Sequence, residues 1–150
     1  MALWVSRVDE SAVRATQEVD IMVARDSFEA VKAALENAGF VYRPAAAIEL
    51  FLDRPDAKAR DAVHVVFAGE MVRPHEPAAN PEVTESERAD GYTVLALGAL
   101  VRIKLTAFRD KDPTHLRDLI EVGLVGPQTL VTLPPVLAAR LQQLLDTPDG

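Results

Sequence analysis

Residues 14–24 read RATQEVDIMVA, and the interpretation of the whole chain depends on this stretch. Its second half, residues 19–24, is short, apolar and rich in β-branched side chains, which is typical of a buried strand. Glu18 and Asp20 lie at the start of that strand. Side chains at i and i+2 of a strand share a face about 6.5–7 Å apart. The two carboxylates are therefore either a metal-binding pair or solvated acids at a strand entrance.

The composition is that of an ordinary globular protein and excludes several classes of function. The chain has 150 residues, 49% hydrophobic and 26% charged, which is enough for one domain that buries about 68–70% of its unfolded surface. Its formal net charge of −7 argues against nonspecific nucleic-acid binding, which normally requires a basic surface. The absence of cysteine excludes disulfides, zinc–thiolate sites and a cysteine nucleophile.

The sequence carries no pattern of a membrane protein or of an exported one. No apolar run approaches the ~20 residues of a membrane-spanning helix. The opening MALWVSRV reaches Arg7 and Asp9 too early for the core of a signal peptide. We therefore expect a cytoplasmic protein without a membrane partner.

The first part of the chain is predicted to form a small mixed sheet with a helix. Asp26 and Glu29 have the spacing of a capping box, which predicts a helix start with Asp26 as N-cap. Apolar residues then recur at helical spacing over 28–38, and Gly39 favours the end of the helix. Further strands are predicted over residues 40–42, 48–52 and 62–68.

The second part of the chain is predicted to be helical. Residues 69–91 hold three prolines and many acids without apolar periodicity, which indicates a long loop. Helices are expected over 97–109, from Asp112–Pro113 onward, and after Pro135, the last with Leu137, Leu141 and Leu144 as its buried stripe. We expect one domain over 1–150, with a sheet core in 1–92 and a helical segment in 93–150.

Lys104 occupies an unusual place for a cationic side chain. At about 100° per residue, it falls within the apolar stripe of the helix predicted over 97–109. An unpaired ammonium is costly to bury. Lys104 must therefore extend to the edge of the stripe or meet an anionic partner.

Residues 109–119 read RDKDPTHLRDL, where basic and acidic side chains alternate. Asp112 followed by Pro113 favours a helix start at this point, with Asp112 as the N-cap. One interpretation is a helix–helix turn held by caps and ion pairs; the other is a cationic wall facing a phosphate. The sequence alone favours the first.

The ordered combination of TxExD at 16–20, FAGE at 67–70 and KL…RDKDPTHLRDL at 104–119 resembles the nucleotidyltransferase-fold superfamily. Within it, the chain is similar to the small bacterial AbiEii-toxin-like nucleotidyltransferases over roughly residues 1–125. The resemblance implies an α/β fold: a small mixed sheet with flanking helices and a helical C-terminal segment.

The resemblance also implies a set of site residues. Glu18 and Asp20 match the two catalytic acids that hold Mg²⁺, and His64 is the candidate for the third metal position. The nucleotide-binding residues implied are Thr16, Lys104, Arg109 and Asp118.

Three departures from the family pattern concern activity rather than fold. The usual glycine pair is absent, because Met1 stands about where the residue after that pair would fall. Glu18 replaces an aspartate and lengthens the arm by a methylene. The strand expected to carry the third acid places His64 inside, with Asp61 and Glu70 at its ends, and a neutral imidazole is a poor ligand for Mg²⁺.

The function implied is Mg²⁺-dependent transfer of a nucleoside monophosphate from a nucleoside triphosphate to an unknown acceptor. The alternative is a catalytically degraded module that binds a nucleotide or a partner protein, such as a component of a toxin–antitoxin pair.

Overall fold

The structure, a computed structural model, describes residues 2–12, 19–45, 48–58 and 61–148. The chain divides into two compact units, a sheet unit over residues 15–70 and a helical unit formed by residues 1–14 and 71–150. The expected α/β class with a small mixed sheet is confirmed. In chain order the elements are α1 (Ala2–Val5), β1 (Val19–Val23), α2 (Phe28–Asn37), β2 (Val41–Ala45), β3 (Ile48–Leu52), β4 (Val63–Phe67), β5 (Ser86–Ala89), β6 (Tyr92–Leu95), α3 (Leu97–Ala107), α4 (Lys111–Glu121), α5 (Pro127–Leu130) and α6 (Pro135–Asp146).

The sheet unit contains a four-stranded mixed sheet with the order β1-β4-β3-β2. β1 pairs with β4 in parallel, whereas β4 with β3 and β3 with β2 are antiparallel. All four strands predicted for this part of the chain are present. β1 is an edge strand of this sheet, and its neighbour β4 lies much later in the sequence.

The two faces of the sheet carry different side chains because residues alternate along each strand. One face packs against α2 through Val23, Phe51 and Val65, with Phe28 of α2 lying over them. The opposite face buries Leu50 and Leu52 with Ala57 and Ala62. Asp20 and His64 belong to this second face, since they alternate with the residues that contact α2.

The start of α2 differs from the sequence-based prediction. A short 3₁₀ turn over Arg25–Ser27 precedes the helix, and Ser27 rather than Asp26 is the N-cap residue. The Asp26 carboxylate instead accepts a hydrogen bond from the Ser27 hydroxyl at 3.1 Å. The capping-box prediction was therefore wrong, because the 3₁₀ turn moves the first helical residue to Phe28.

The helical unit is built around one apolar core. The predicted stripe of α6 is confirmed, because Leu137, Leu141 and Leu144 are all buried. Trp4 of α1 packs against this core, and its indole N–H donates to the Leu95 carbonyl at 3.1 Å. None of the helices within the described ranges is long and apolar enough to cross a membrane. The buried members of the core are Val5, Val101, Leu105, Leu116, Leu119, Val125, Leu137, Leu141 and Leu144.

The turn between α3 and α4 has a conformation that few side chains adopt. Phe108 ends α3 with φ 46° and ψ 44°, the left-handed region that favours glycine. Arg140 of α6 donates hydrogen bonds to the carbonyls of Leu105 and Thr106, at 2.5 and 2.8 Å, and its guanidinium lies 5.1 Å from the Phe108 ring. These contacts satisfy carbonyl groups at the C-terminus of α3 and hold the turn.

The acidic segment predicted as a loop is only partly irregular. Within residues 69–91, the last part forms β5, which pairs with β6 in an antiparallel hairpin. Arg102 of α3 donates to the Glu85 carboxylate just before this hairpin, and Arg7 donates to Glu87 at 2.5 Å. The Asp90–Gly91 pair between SERA and YTVL is the hairpin signal that the proline-rich context obscured.

Replacing Phe51 tests the packing of α2 on the sheet. Its side chain is fully buried, so Phe51→Ala should destabilise the protein by about 3–5 kcal/mol. Ile48→Ala on the same strand is the control, because Ile48 is 50% exposed and its truncation should change the free energy of unfolding by less than about 0.5 kcal/mol. Equal effects in urea denaturation would contradict this packing.

Candidate functional site

Asp20 and His64 come together because β1 and β4 pair in register. Asp20 lies opposite His64 in the parallel ladder, and both side chains project from the sheet face that does not contact α2. The Asp20 Oδ1 and His64 Nδ1 atoms are 3.8 Å apart. This distance is longer than a hydrogen bond. A carboxylate oxygen and an imidazole nitrogen at this separation can nevertheless contact the same ligand.

The two side chains differ in exposure. Asp20 is 67% exposed, whereas His64 is only 26% exposed. The next strand, β3, places Leu50 opposite His64, and Leu50 is buried. The imidazole is therefore packed against apolar surface on one side, while the carboxylate beside it faces water.

Two predicted site residues, Thr16 and Glu18, lie outside the described residues. The structure therefore places only Asp20 of the predicted acid pair. It also places His64 beside Asp20; its assignment as the third metal position stays a prediction.

Glu70, one of the two acids at the ends of the His64 strand, has another partner. Its carboxylate accepts two hydrogen bonds from the Arg25 guanidinium, at 2.7 and 2.5 Å. The guanidinium in turn lies 3.4 Å from the centre of the Phe67 ring. The hydrogen bond from Arg25 lowers the pKa of Glu70 below its ordinary value. Glu70 thus forms an ion pair with Arg25, two residues after the end of β1, instead of completing an acid cluster with Asp20.

The donors that the structure brings together suit a divalent cation, but they do not suit Mg²⁺ well. Mg²⁺ takes oxygen ligands and is usually bound by one or two carboxylates together with substrate phosphates. Asp20 supplies such an oxygen, whereas His64 supplies a nitrogen. Across the described ranges, no group of three or more histidine, aspartate or glutamate side chains is arranged to hold a metal ion.

Lys104 meets an anionic partner, one of the two alternatives that the sequence left open. Its ammonium donates to Asp112 Oδ1 at 3.1 Å and lies 3.1 Å from His115 Nδ1. The Lys104 and Asp112 side chains are each 14% exposed. Asp112 also accepts a hydrogen bond from the Arg109 backbone N–H at 2.9 Å. This carboxylate therefore links α3 and α4 across the turn.

The prediction that Asp112 is the N-cap of α4 was wrong. α4 begins at Lys111, with Asp110 as its N-cap residue, so Asp112 lies inside the first turn. Its carboxylate accepts hydrogen bonds from the Lys104 ammonium and from the Arg109 N–H, so it stabilises the turn before α4 and does not cap α4 itself. The sequence indicated that a buried Lys104 requires an anionic partner, but it did not indicate that this partner is Asp112.

The surroundings of His115 disfavour its protonated form. Burial lowers its pKa most, and the Lys104 charge lowers it further, against smaller opposing effects of Asp112 and Asp118. Because an ammonium can only donate, the contact with Lys104 favours the tautomer that carries its proton on Nε2. His115 was not assigned to the site from sequence, and its place four residues after Lys111 gave no signal that it contacts Lys104.

The remaining predicted nucleotide-binding residues are placed differently from one another. The Arg109 side chain is exposed at the turn, where it is accessible to an anion. Asp118 is 9% exposed and faces the interior from α4. Arg109 is thus open to a ligand, while Asp118 contributes to the electrostatics around His115.

Comparison with known proteins yields no relatives. No protein family model matches the chain, and neither a curated protein nor a solved structure matches it. Functional inference therefore rests on the residues and their geometry.

Truncating Asp112 tests its role in joining α3 to α4. Asp112→Ala removes a hydrogen-bonded charge from the poorly exposed Lys104 and should destabilise the helical unit by about 1.5–3 kcal/mol. Unfolding can be followed by the fluorescence of Trp4, which packs against the core of this unit. Asp110→Ala is the control, since Asp110 is exposed and makes no side-chain cap hydrogen bond. A destabilisation as large in the control would refute the assignment.

The lowered pKa of His115 predicts a specific pH dependence of stability. Below the ordinary histidine pKa of about 6.5, the unfolded chain binds a proton here more readily than the folded chain. Stability should therefore fall as pH falls below that value. His115→Asn keeps a hydrogen-bond acceptor for Lys104 but removes the titration, so its melting temperature should drop less than that of the native chain between pH 8 and pH 5.5. His75→Asn, at an exposed histidine, should leave the drop unchanged; equal drops in all three proteins would exclude this role for His115.

Proposed function

We propose that the protein is of the nucleotidyltransferase type and transfers a nucleoside monophosphate from a nucleoside triphosphate to an acceptor hydroxyl. The observation that carries the proposal is the in-register placement of Asp20 beside His64 on one face of a mixed sheet. It agrees with the resemblance of the TxExD, FAGE and helical segments to that superfamily. The nucleotidyltransferase fold itself is part of this proposal.

In the proposed reaction, an acceptor oxygen attacks the α-phosphate in line and pyrophosphate leaves. Such transfers depend on positioning and on neutralising the charge that the phosphates carry. A divalent ion held at Asp20 would supply positive charge at the triphosphate. The exposure of the Asp20 carboxylate leaves its oxygens accessible to such an ion.

The resemblance implies Lys104, in the helical unit, as a nucleotide-binding residue. Its ammonium has three N–H donors, and it contacts Asp112 and His115. Arg109, exposed in the adjacent turn, offers a second cationic group.

The test is a transfer assay with α-³²P-labelled ATP, GTP, CTP and UTP in the presence of Mg²⁺ or Mn²⁺. Total RNA, a small-molecule extract and the protein itself serve as acceptors, and pyrophosphate release is measured in parallel. Asp20→Asn should lower the rate about 100-fold or more, as expected for loss of a group that binds the ion.

Asp26→Asn is the matched control, because Asp26 is an exposed acid close to β1 whose carboxylate accepts a local hydrogen bond from Ser27. Its rate should stay within about twofold of that of the native chain. Absence of transfer with every nucleotide, metal and acceptor, together with absence of any nucleotide-induced rise in melting temperature, would refute the proposal.

A second candidate function is nucleotide or protein binding without transfer. It is favoured by the imidazole of His64 in the position where a third acid is expected, and by Asp112, which already compensates the Lys104 charge. A nucleotide-induced thermal shift without transfer, retained in Asp20→Asn, would select a nucleotide-binding module. A partner protein captured equally by the native chain and by Asp20→Asn would select a protein-binding module.

A further inference from the structure

The Asp20–His64 pair combines two kinds of metal donor. Asp20 contributes a carboxylate oxygen and His64 an imidazole nitrogen, 3.8 Å apart on adjacent parallel strands. Carboxylates suit Mg²⁺, Ca²⁺ and Mn²⁺, whereas imidazole suits zinc, copper, iron and nickel. A mixed oxygen–nitrogen pair therefore discriminates among divalent ions in a way that a pair of carboxylates does not.

The distance between the two donor atoms is close to that in a metal site. Two ligands bound at about 2.1 Å to one ion lie about 3 Å apart in adjacent octahedral positions and about 3.4 Å apart in a tetrahedron. Asp20 is 67% exposed, so a rotation of its carboxylate can close the difference at little cost. The less exposed His64, packed beside Leu50, would provide the fixed donor.

We propose that Asp20 and His64 form an open site that binds first-row transition-metal ions in preference to Mg²⁺. The remaining coordination positions are available to water or to phosphate oxygens of a nucleotide. The inference deepens the proposed function and rests on it only for the role of the ion, because metal binding can be measured without nucleotide.

The preference has a predicted order. For one set of nitrogen and oxygen ligands, affinity rises from Mn²⁺ through Co²⁺ to Ni²⁺. Mg²⁺ gains little from an imidazole and should bind most weakly. The order of affinities depends on the nitrogen ligand, so the affinities should become similar when His64 is replaced. Loss of Asp20 should lower the affinity for all four ions.

The experiment is isothermal titration calorimetry of the untagged full chain with Mg²⁺, Mn²⁺, Co²⁺ and Ni²⁺ in a non-chelating buffer at pH 7.5. The native chain should bind Ni²⁺ at least about 10-fold more tightly than Mn²⁺, and Mn²⁺ more tightly than Mg²⁺. His64→Gln should weaken Ni²⁺ binding at least about 10-fold and bring the affinities for the four ions close together. His75→Gln, which alters an exposed histidine outside the pair, should change none of these values.

Two outcomes would overturn the site. Mg²⁺ binding as tight as that of Ni²⁺ would show that the nitrogen donor is not used. A full affinity order retained in His64→Gln, or lost in His75→Gln, would place the ion elsewhere.

A second measurement, NMR of the native chain, tests the site without relying on variants that could fail to fold. In the native chain, Co²⁺ should shift the NMR signals of the His64 ring before those of His75 and His115. Simultaneous shifts of all three rings would contradict the proposal. Metal binding with the predicted order of affinities but without nucleotidyl transfer would refute the proposed function and leave the metal site supported. Nucleotidyl transfer without that order of affinities would support the proposed function and refute the metal site.

Discussion

The parallel pairing of β1 with β4 is the constraint on which the rest of the site depends. It joins two segments that are distant in sequence and sets Asp20 directly opposite His64. Because side chains alternate along a strand, a shift of one residue in this register would turn His64 toward α2 and bury it among aromatic rings. The apolar residues that alternate with the pair, Ile21 and Val65, pack on the α2 side and resist such a shift. Burial on one face therefore fixes the polar pair on the other.

Much of the sheet unit could be predicted from hydrophobic periodicity, whereas the pairing of its strands could not. The runs over 19–24, 48–52 and 62–68 each gave a strand, because period-two patterns define which residues share a face. They do not define which strand lies beside which. The adjacency of β1 and β4 arises from an antiparallel arrangement of β2, β3 and β4 that returns the chain to the edge of β1. Likewise, nothing local indicated that Glu70 would bind Arg25 instead of joining Asp20.

In the helical unit, the sequence indicated a requirement without indicating how it is met. A lysine within an apolar stripe needs an anion, and several aspartates follow Lys104. The left-handed turn at Phe108 decides among them, since it reverses the chain so that Asp112 and His115 face Lys104 while Asp118 lies deeper along α4. The Arg140 side chain from α6 supports that turn through the carbonyls of α3. A non-glycine residue in this conformation gives no recognisable pattern in the sequence.

The central claim is that Asp20 and His64 act as one ligand-binding pair on the face of the sheet that does not contact α2. Line broadening of backbone amide NMR signals by sub-stoichiometric Mn²⁺ tests it most directly, because the effect falls steeply with distance from the ion. The account predicts that signals of residues 19–21 and 63–65 disappear first, and that they persist in Asp20→Asn. Broadening that begins in the acidic segment 69–91, or that is unchanged in Asp20→Asn, would contradict it.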